Sequence, residues 1–135
     1  MGKLIIYTDG GSRGNPGKAA IGVVVGDKKY GEAIGTATNN VAEYQAVILG
    51  LRKAKQLVGK EKAKETELEM RMDSELVYSQ LTGRYKLKEE SLFPLFIEIW
   101  NLKQEFKKVE FVHVPREKNK EADKLVNQAL DGLLF

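Results

Sequence analysis

Four acidic residues in this sequence are placed where they could act together. Asp9 follows the apolar run Leu4-Ile5-Ile6-Tyr7, and Asp73 closes the run Leu68 to Met72. Glu43 stands at the head of a helical pattern, and Asp123 near the start of the last one. Clustered carboxylates repel: three or four within about 4–6 Å raise one another's pKa unless cations neutralise them. Two divalent cations would do so. They also bring a catalytic device, because two metals about 3.5–4 Å apart stabilise both the attacking and the leaving oxygen of a phosphoryl displacement. A set of carboxylate oxygens suits Mg²⁺ or Mn²⁺. Taken singly, each residue has a plainer reading. Glu43 and Asp123 read as first-turn acids complementing a helix dipole, Asp9 as a turn residue before Gly10, and Asp73 as part of a helix cap with Ser74.

Composition narrows the alternatives. The chain has 135 residues and no cysteine, and His113 is its one histidine. Disulfides, thiolate zinc sites, cysteine nucleophiles and His-Glu-x-x-His centres are therefore excluded. An aspartyl-phosphate enzyme of the Asp-x-Asp type would need a second Asp at position 11, which is Gly. The net charge of +3 is too small to argue for nucleic-acid binding by itself. Setting the four acids aside, however, 15 acidic residues face 22 basic ones, a surplus of seven. Hydrophobic residues at 42% can fill a core, and the length suits one domain over residues 1–135. The apolar run at the N-terminus is short for a signal peptide, and no stretch approaches a membrane span of about 18 residues. A cytoplasmic monomer with no membrane partner is expected.

The elements that must position these residues follow from periodicity. Lys3 to Thr8 reads as a strand ending at Asp9, and Gly10, Gly11, Gly14, Pro16 and Gly17 read as a loop. Ala19–Val25 and Lys29–Thr38 complete an antiparallel meander. Tyr44, Val47, Ile48, Leu51, Ala54 and Val58 recur at helical spacing behind Asn39-Asn40, which are plausible caps. Glu67–Met72 alternates as a fourth strand, Ser74–Leu81 forms a short helix, and Lys88–Phe106 a longer one. Val109–Val114 is a fifth strand stopped by Pro115, and Asn119 caps a final helix to Leu130. The tract Lys60–Lys64 reads as a solvated loop, and the apolar end Leu130–Phe135 as packing on the fold. The order β-β-β-α-β-α-α-β-α predicts an α/β fold with a five-stranded mixed sheet flanked by helices.

The segments carrying the four acids resemble the signatures of the type 1 ribonuclease H family. These are Tyr7-Thr8-Asp9-Gly10-Gly11-Ser12-Arg13-Gly14-Asn15-Pro16-Gly17, Thr38-Asn39-Asn40-Val41-Ala42-Glu43-Tyr44, Met72-Asp73-Ser74 and Asn119-Lys120-Glu121-Ala122-Asp123. They occur in the family's order. The resemblance implies endonucleolytic hydrolysis of the RNA strand of RNA/DNA hybrids with two Mg²⁺ or Mn²⁺ ions, leaving 5′-phosphate and 3′-hydroxyl ends. It implies that Asp9, Glu43, Asp73 and Asp123 are the catalytic and metal-binding carboxylates, with Asp9 between the metals and Glu43 also at a ribose 2′-hydroxyl. It further implies that Gly10, Gly11 and Asn15 approach the RNA strand, and that Asn39 and Asn40 read the minor groove, which in RNA-like duplexes is wide and shallow.

Two departures bear on function. Many members carry a basic helical protrusion that grips the DNA strand. The segment Gln80–Lys88 is too short for one, so Arg84 and Lys86, with Tyr85 and Lys88, are its candidate replacements. The short segment also leaves room for double-stranded RNA as a further substrate. The family's loop histidine precedes the last Asp, as His113 does here, yet Val114-Pro115-Arg116-Glu117-Lys118 follows without glycine. Arg116 or Lys118 is the alternative source of positive charge near the departing phosphate. A duplex-binding module that keeps the fold without the chemistry is the competing reading.

Overall fold

The backbone ladder of the first strand does not stop where its apolar run ends. In the computed structural model, which describes residues 2–132, β1 runs Lys3–Gly14, past Asp9 and through the glycines read as a loop. It pairs antiparallel with β2 (Gly17–Val25) out to Gly14↔Gly17, so the turn is confined to Asn15-Pro16. Extended glycines make ladder hydrogen bonds as any residue does, and the composition of this stretch hid the far half of the expected β1–β2 hairpin. β3 (Lys28–Ala37) adds to β2 antiparallel. β4 (Glu67–Met72) and β5 (Lys108–His113) add in parallel on the other side, giving the order β3-β2-β1-β4-β5.

α1 (Asn39–Val58) buries Tyr44, Val47, Ile48, Leu51 and Ala54 against one face of the sheet. They join Ile6, Val23, Val25, Leu68, Met70 and Met72 in the main core. α5 (Lys120–Leu130) lies on the opposite face, where Val126, Ala129 and Leu130 pack with Ala20. Its close approach depends on Gly22, where a Cβ would stand 2.3 Å from the Ala122 carbonyl oxygen.

Three boundaries differ from expectation. The long helix α4 spans only Phe93–Lys103, preceded by a 3₁₀ turn at Glu90–Leu92. Pro94 sits in its first turn, the one helical place where a missing N–H is harmless. The tract read as a solvated loop forms a one-turn helix, α2 (Lys60–Ala63), because Ala63 is drawn into the core. Thr38, not Asn39 or Asn40, caps α1: its side-chain oxygen accepts from Val41 N–H at 3.2 Å. α3 (Glu75–Leu81) is capped in the same way by Ser74. The apolar end read as packing on the fold extends over 133–135, which lie outside the described residues.

Candidate active site

The sheet register brings the first two acids together. The β1–β4 ladder ends at Tyr7↔Arg71. Two residues further along both strands stand Asp9, held in β1 by its pairing with Gly22, and Asp73, just past the end of β4. Since Ser74 supplies the α3 cap, Asp73 is free of that task. Glu43 lies beyond the first turn of α1, so a dipole role does not account for it. It is buried, and its Oε1 accepts a hydrogen bond from the Gly10 N–H at 2.8 Å. That contact is possible because position 10 has no side chain: a Cβ there would fall 2.3 Å from the Ala42 carbonyl. The space vacated by Gly10 is therefore filled by α1, so the missing side chain serves a close approach of helix to strand, and Gly10 also lines the pocket described next. Gly11 lines it too, together with Ser12 and Arg13.

Asp9, Glu43 and Asp73 each offer a carboxylate oxygen within 4.8 Å of the others. Asp123, in the first turn of α5, stands outside that triad but lines the same pocket of about 330 Å³. Arg116 lines it too, with Nη2 3.9 Å from Asp123 Oδ1. Burial, reinforced by the charges of Asp73 and Asp123 and a hydrogen bond with Asp123, pushes Asp9 up to about 8; Arg116 opposes this. Burial and then the Asp9 charge hold Glu43 well above the usual carboxylate range, against the pull of the Gly10 N–H. These are the marks of a carboxylate cluster made for a positive partner. A donor set of oxygens alone, with no nitrogen or sulfur, fits a hard divalent cation.

The asparagines divide between two tasks. Asn15 Oδ1 accepts from the Asn39 N–H at 3.0 Å, and Asn39 Oδ1 accepts from the Ser12 N–H at 3.2 Å. Together they lock the β1–β2 tip to the start of α1, and Asn39 also lines the acidic pocket. Asn15 is thus a brace between elements, which its place in a turn does not reveal. Asn40 faces elsewhere. It lines a second, open groove of about 510 Å³ with Gln80, Arg84, Tyr85, Lys86 and Lys88. The groove is shaped by the turn at Gly83 (φ +79°), where the Arg84 and Tyr85 N–H groups both donate to the Ser79 carbonyl.

His113 is not among the residues lining the acidic pocket. It ends β5, exposed, with its ring 5.7 Å from that of Tyr78. The sequence reading missed a role for Asn119. Expected to cap α5, it makes no side-chain capping bond. Instead its buried Nδ2 donates to the Thr8 carbonyl at 2.9 Å and to Asp73 Oδ2 at 3.3 Å, tying α5 to both acid-bearing strands. Its place at a helix start was the only signal, and that signal pointed to the commoner role.

Comparison with known proteins agrees with this geometry. A family profile described as "Reverse transcriptase-like" matches residues 7–129. A bifunctional protein of Mycobacterium tuberculosis is 42% identical over 96% of this chain, which spans 36% of that relative's length. Ribonuclease HI of Halobacterium salinarum is 41% identical, covering 96% of this chain and 65% of its own. The structure of LC11-RNase H1, isolated from compost, in complex with an RNA/DNA hybrid superposes with a TM-score of 0.90 at 47% identity, over 98% of this chain and 99% of that one. With this sheet order, this carboxylate cluster, a family match over residues 7–129 and a solved ribonuclease H1 covered over 99% of its chain at 47% identity, the chain belongs to the type 1 ribonuclease H family.

Proposed function

We propose that this chain is an endonuclease that hydrolyses the RNA strand of RNA/DNA hybrids with Mg²⁺ or Mn²⁺, leaving 5′-phosphate and 3′-hydroxyl ends. One observation carries the reading: the carboxylates of Asp9, Glu43 and Asp73 converge, with Asp123, in a pocket adjoining a basic groove. The hybrid complex of LC11-RNase H1 supports the choice of substrate.

The four carboxylates would hold two divalent ions, and when bound these would activate water and neutralise charge on the leaving oxygen. The chain's own residues prepare the site. The Gly10 N–H and the Asn119 amide hold Glu43 and Asp73 in place before substrate arrives. Arg116 brings a positive charge to the rim of the pocket beside Asp123, where the departing phosphate group would gather negative charge. It takes the role for which His113 was the other candidate. Adjacent Asn39 and Asn40 line the acidic pocket and the basic groove respectively, so one strand of a duplex can lie in each. Arg84 and Lys86 would then meet phosphates of the DNA strand.

The test is cleavage of matched RNA/DNA, RNA/RNA and DNA/DNA duplexes in Mg²⁺ or Mn²⁺. Cutting of the RNA strand of the hybrid is expected, and cutting of RNA/RNA would extend the range. Hybrid binding without cleavage in either metal would favour the binding-module reading.

A further inference from the structure

Tyr44 and Gln80, 36 residues apart in sequence, meet inside the protein: the Tyr44 hydroxyl donates to Gln80 Oε1 at 2.7 Å. Tyr44 lies on α1 one turn after Asn40 and is fully buried. Gln80 lies on α3 one turn after Leu76 and is buried as well. Asn40, Leu76 and Gln80 line the basic groove, whereas Tyr44 stands behind it. Phenylalanine would fill the same volume, so packing does not account for the hydroxyl. The bond decides which way the amide faces. The terminal torsion of glutamine is broad, and an unheld amide presents either end. Burial and the charge of Glu89 hold the Tyr44 hydroxyl well above the usual phenol range, so it keeps its proton. That proton needs an acceptor, and among the described residues Gln80 Oε1 is the one it has. With the amide turned over, Nε2 would donate to the phenol oxygen and the phenol proton would be stranded in the interior. Oε1 is therefore committed to Tyr44. Nε2 has no partner among the described residues and is not sealed from solvent, so it serves the groove.

We propose that Tyr44 is a positioning residue for hybrid binding: its hydroxyl fixes the Gln80 amide so that Nε2 donates to a hydrogen-bond acceptor of the DNA strand. The proposal rests on the reading of this groove as the seat of that strand. Arg84 and Lys86 supply the groove with charge, and Gln80 adds a neutral donor set by a residue that does not touch the duplex. The two kinds of contact answer salt differently. Lys and Arg neutralise phosphates, release counterions and steepen the salt dependence of binding, and a neutral donor does not. Tyr44 also adjoins Glu43 in the chain, so a merely structural role would loosen the carboxylate site and lower kcat instead.

The test is binding of an RNA/DNA hybrid by the full chain in Mg²⁺, with Asp9→Asn present so that no strand is cut, and cleavage kinetics without that change. Tyr44→Phe should raise Kd about three- to tenfold at an unchanged salt slope, and raise KM with kcat within about twofold of wild type. Gln80→Met keeps the volume and removes the donor, and should raise Kd about tenfold. The two together should bind within about twofold of Gln80→Met alone, because Tyr44 acts only through Gln80. Additive losses would make Tyr44 a support of the fold and overturn the proposal. So would an unchanged Kd for Tyr44→Phe, or a fall in its kcat at constant KM. A parent protein that binds no hybrid would instead bring down the functional reading, and this proposal with it.

Discussion

Asn119 Nδ2 stands 3.3 Å from Asp73 Oδ2 while also donating to the Thr8 carbonyl. One side-chain amide at the start of α5 thereby fixes the carboxylate of β4 relative to the backbone beside Asp9. Asn119→Ala would strand the Thr8 carbonyl, which lies in the interior, at a cost of about 1–3 kcal/mol. It would also free the Asp73 side chain to turn. We expect lower stability in urea and a shift of the Mg²⁺ activation curve to higher concentration, with maximal cleavage partly recovered at saturating metal. An unchanged activation curve would show that Asn119 only holds the fold.

The metal-free protein should lose stability as pH rises. Asp9 is raised from 3.8 to about 8 by burial and neighbouring charge. A carboxyl with a raised folded-state pKa binds its proton more tightly in the native than in the unfolded chain, so its contribution is present below about pH 4 and is lost as pH climbs toward about 8. Glu43 acts in the same direction. Denaturation in chelator should show a fall on the order of a few kcal/mol across that window, reduced by Asp9→Asn. Mg²⁺ or Mn²⁺ should restore stability most at the alkaline end. A flat profile in chelator would mean the carboxylates do not repel as the geometry requires.

Arg116 and His113 should separate cleanly. Arg116 lines the acidic pocket and His113 rests against Tyr78 outside it. Arg116→Ala should lower kcat by about 10- to 100-fold with little change in KM. His113→Ala should stay within about twofold of wild type, since its ring packs on Tyr78 and it does not line the acidic pocket. A large kcat loss for His113→Ala alone would reverse the assignment.

The basic groove should act through phosphates. Replacing Arg84 and Lys86 together by Ala should weaken hybrid binding and flatten its logarithmic salt dependence by about two units. Cleavage at saturating substrate should be almost unaffected. Equal salt slopes for variant and wild type would remove the DNA strand from this groove.

Much of the fold was legible in the sequence because hydrophobic period is a local property. The run ending at Met72 alternates as a half-buried strand does, the runs around Ile6 and Val23 are short, apolar and β-branched, and Tyr44 to Ala54 repeats as a helix must. The antiparallel pairing of β1 with β2 was legible, but its extension through Gly10–Gly14 was not. Gly10 and Gly11 signal a loop by composition, and only the neighbouring strand and helix show that they are extended and that Gly10 is a packing necessity. The four carboxylates could be named because their type and order are visible in the chain. Their unequal standing could not: Asp9, Glu43 and Asp73 form the tight cluster while Asp123 joins it through Asp9 and has Arg116 beside it, a distinction created by register and helix placement. The real work of Asn119 was hidden for the same reason, since its partners lie more than 40 residues away in sequence.

The central claim is that the clustered carboxylates hydrolyse the RNA strand of a hybrid, and strand-specific labelling tests it most directly. Wild-type protein and Asp9→Asn should be compared on an RNA/DNA hybrid labelled on each strand in turn, in Mg²⁺ and in Mn²⁺. The account predicts internal cuts in the RNA strand alone, with Asp9→Asn reduced to background while still binding the hybrid. Cleavage that survives Asp9→Asn, or cuts in the DNA strand, would contradict it.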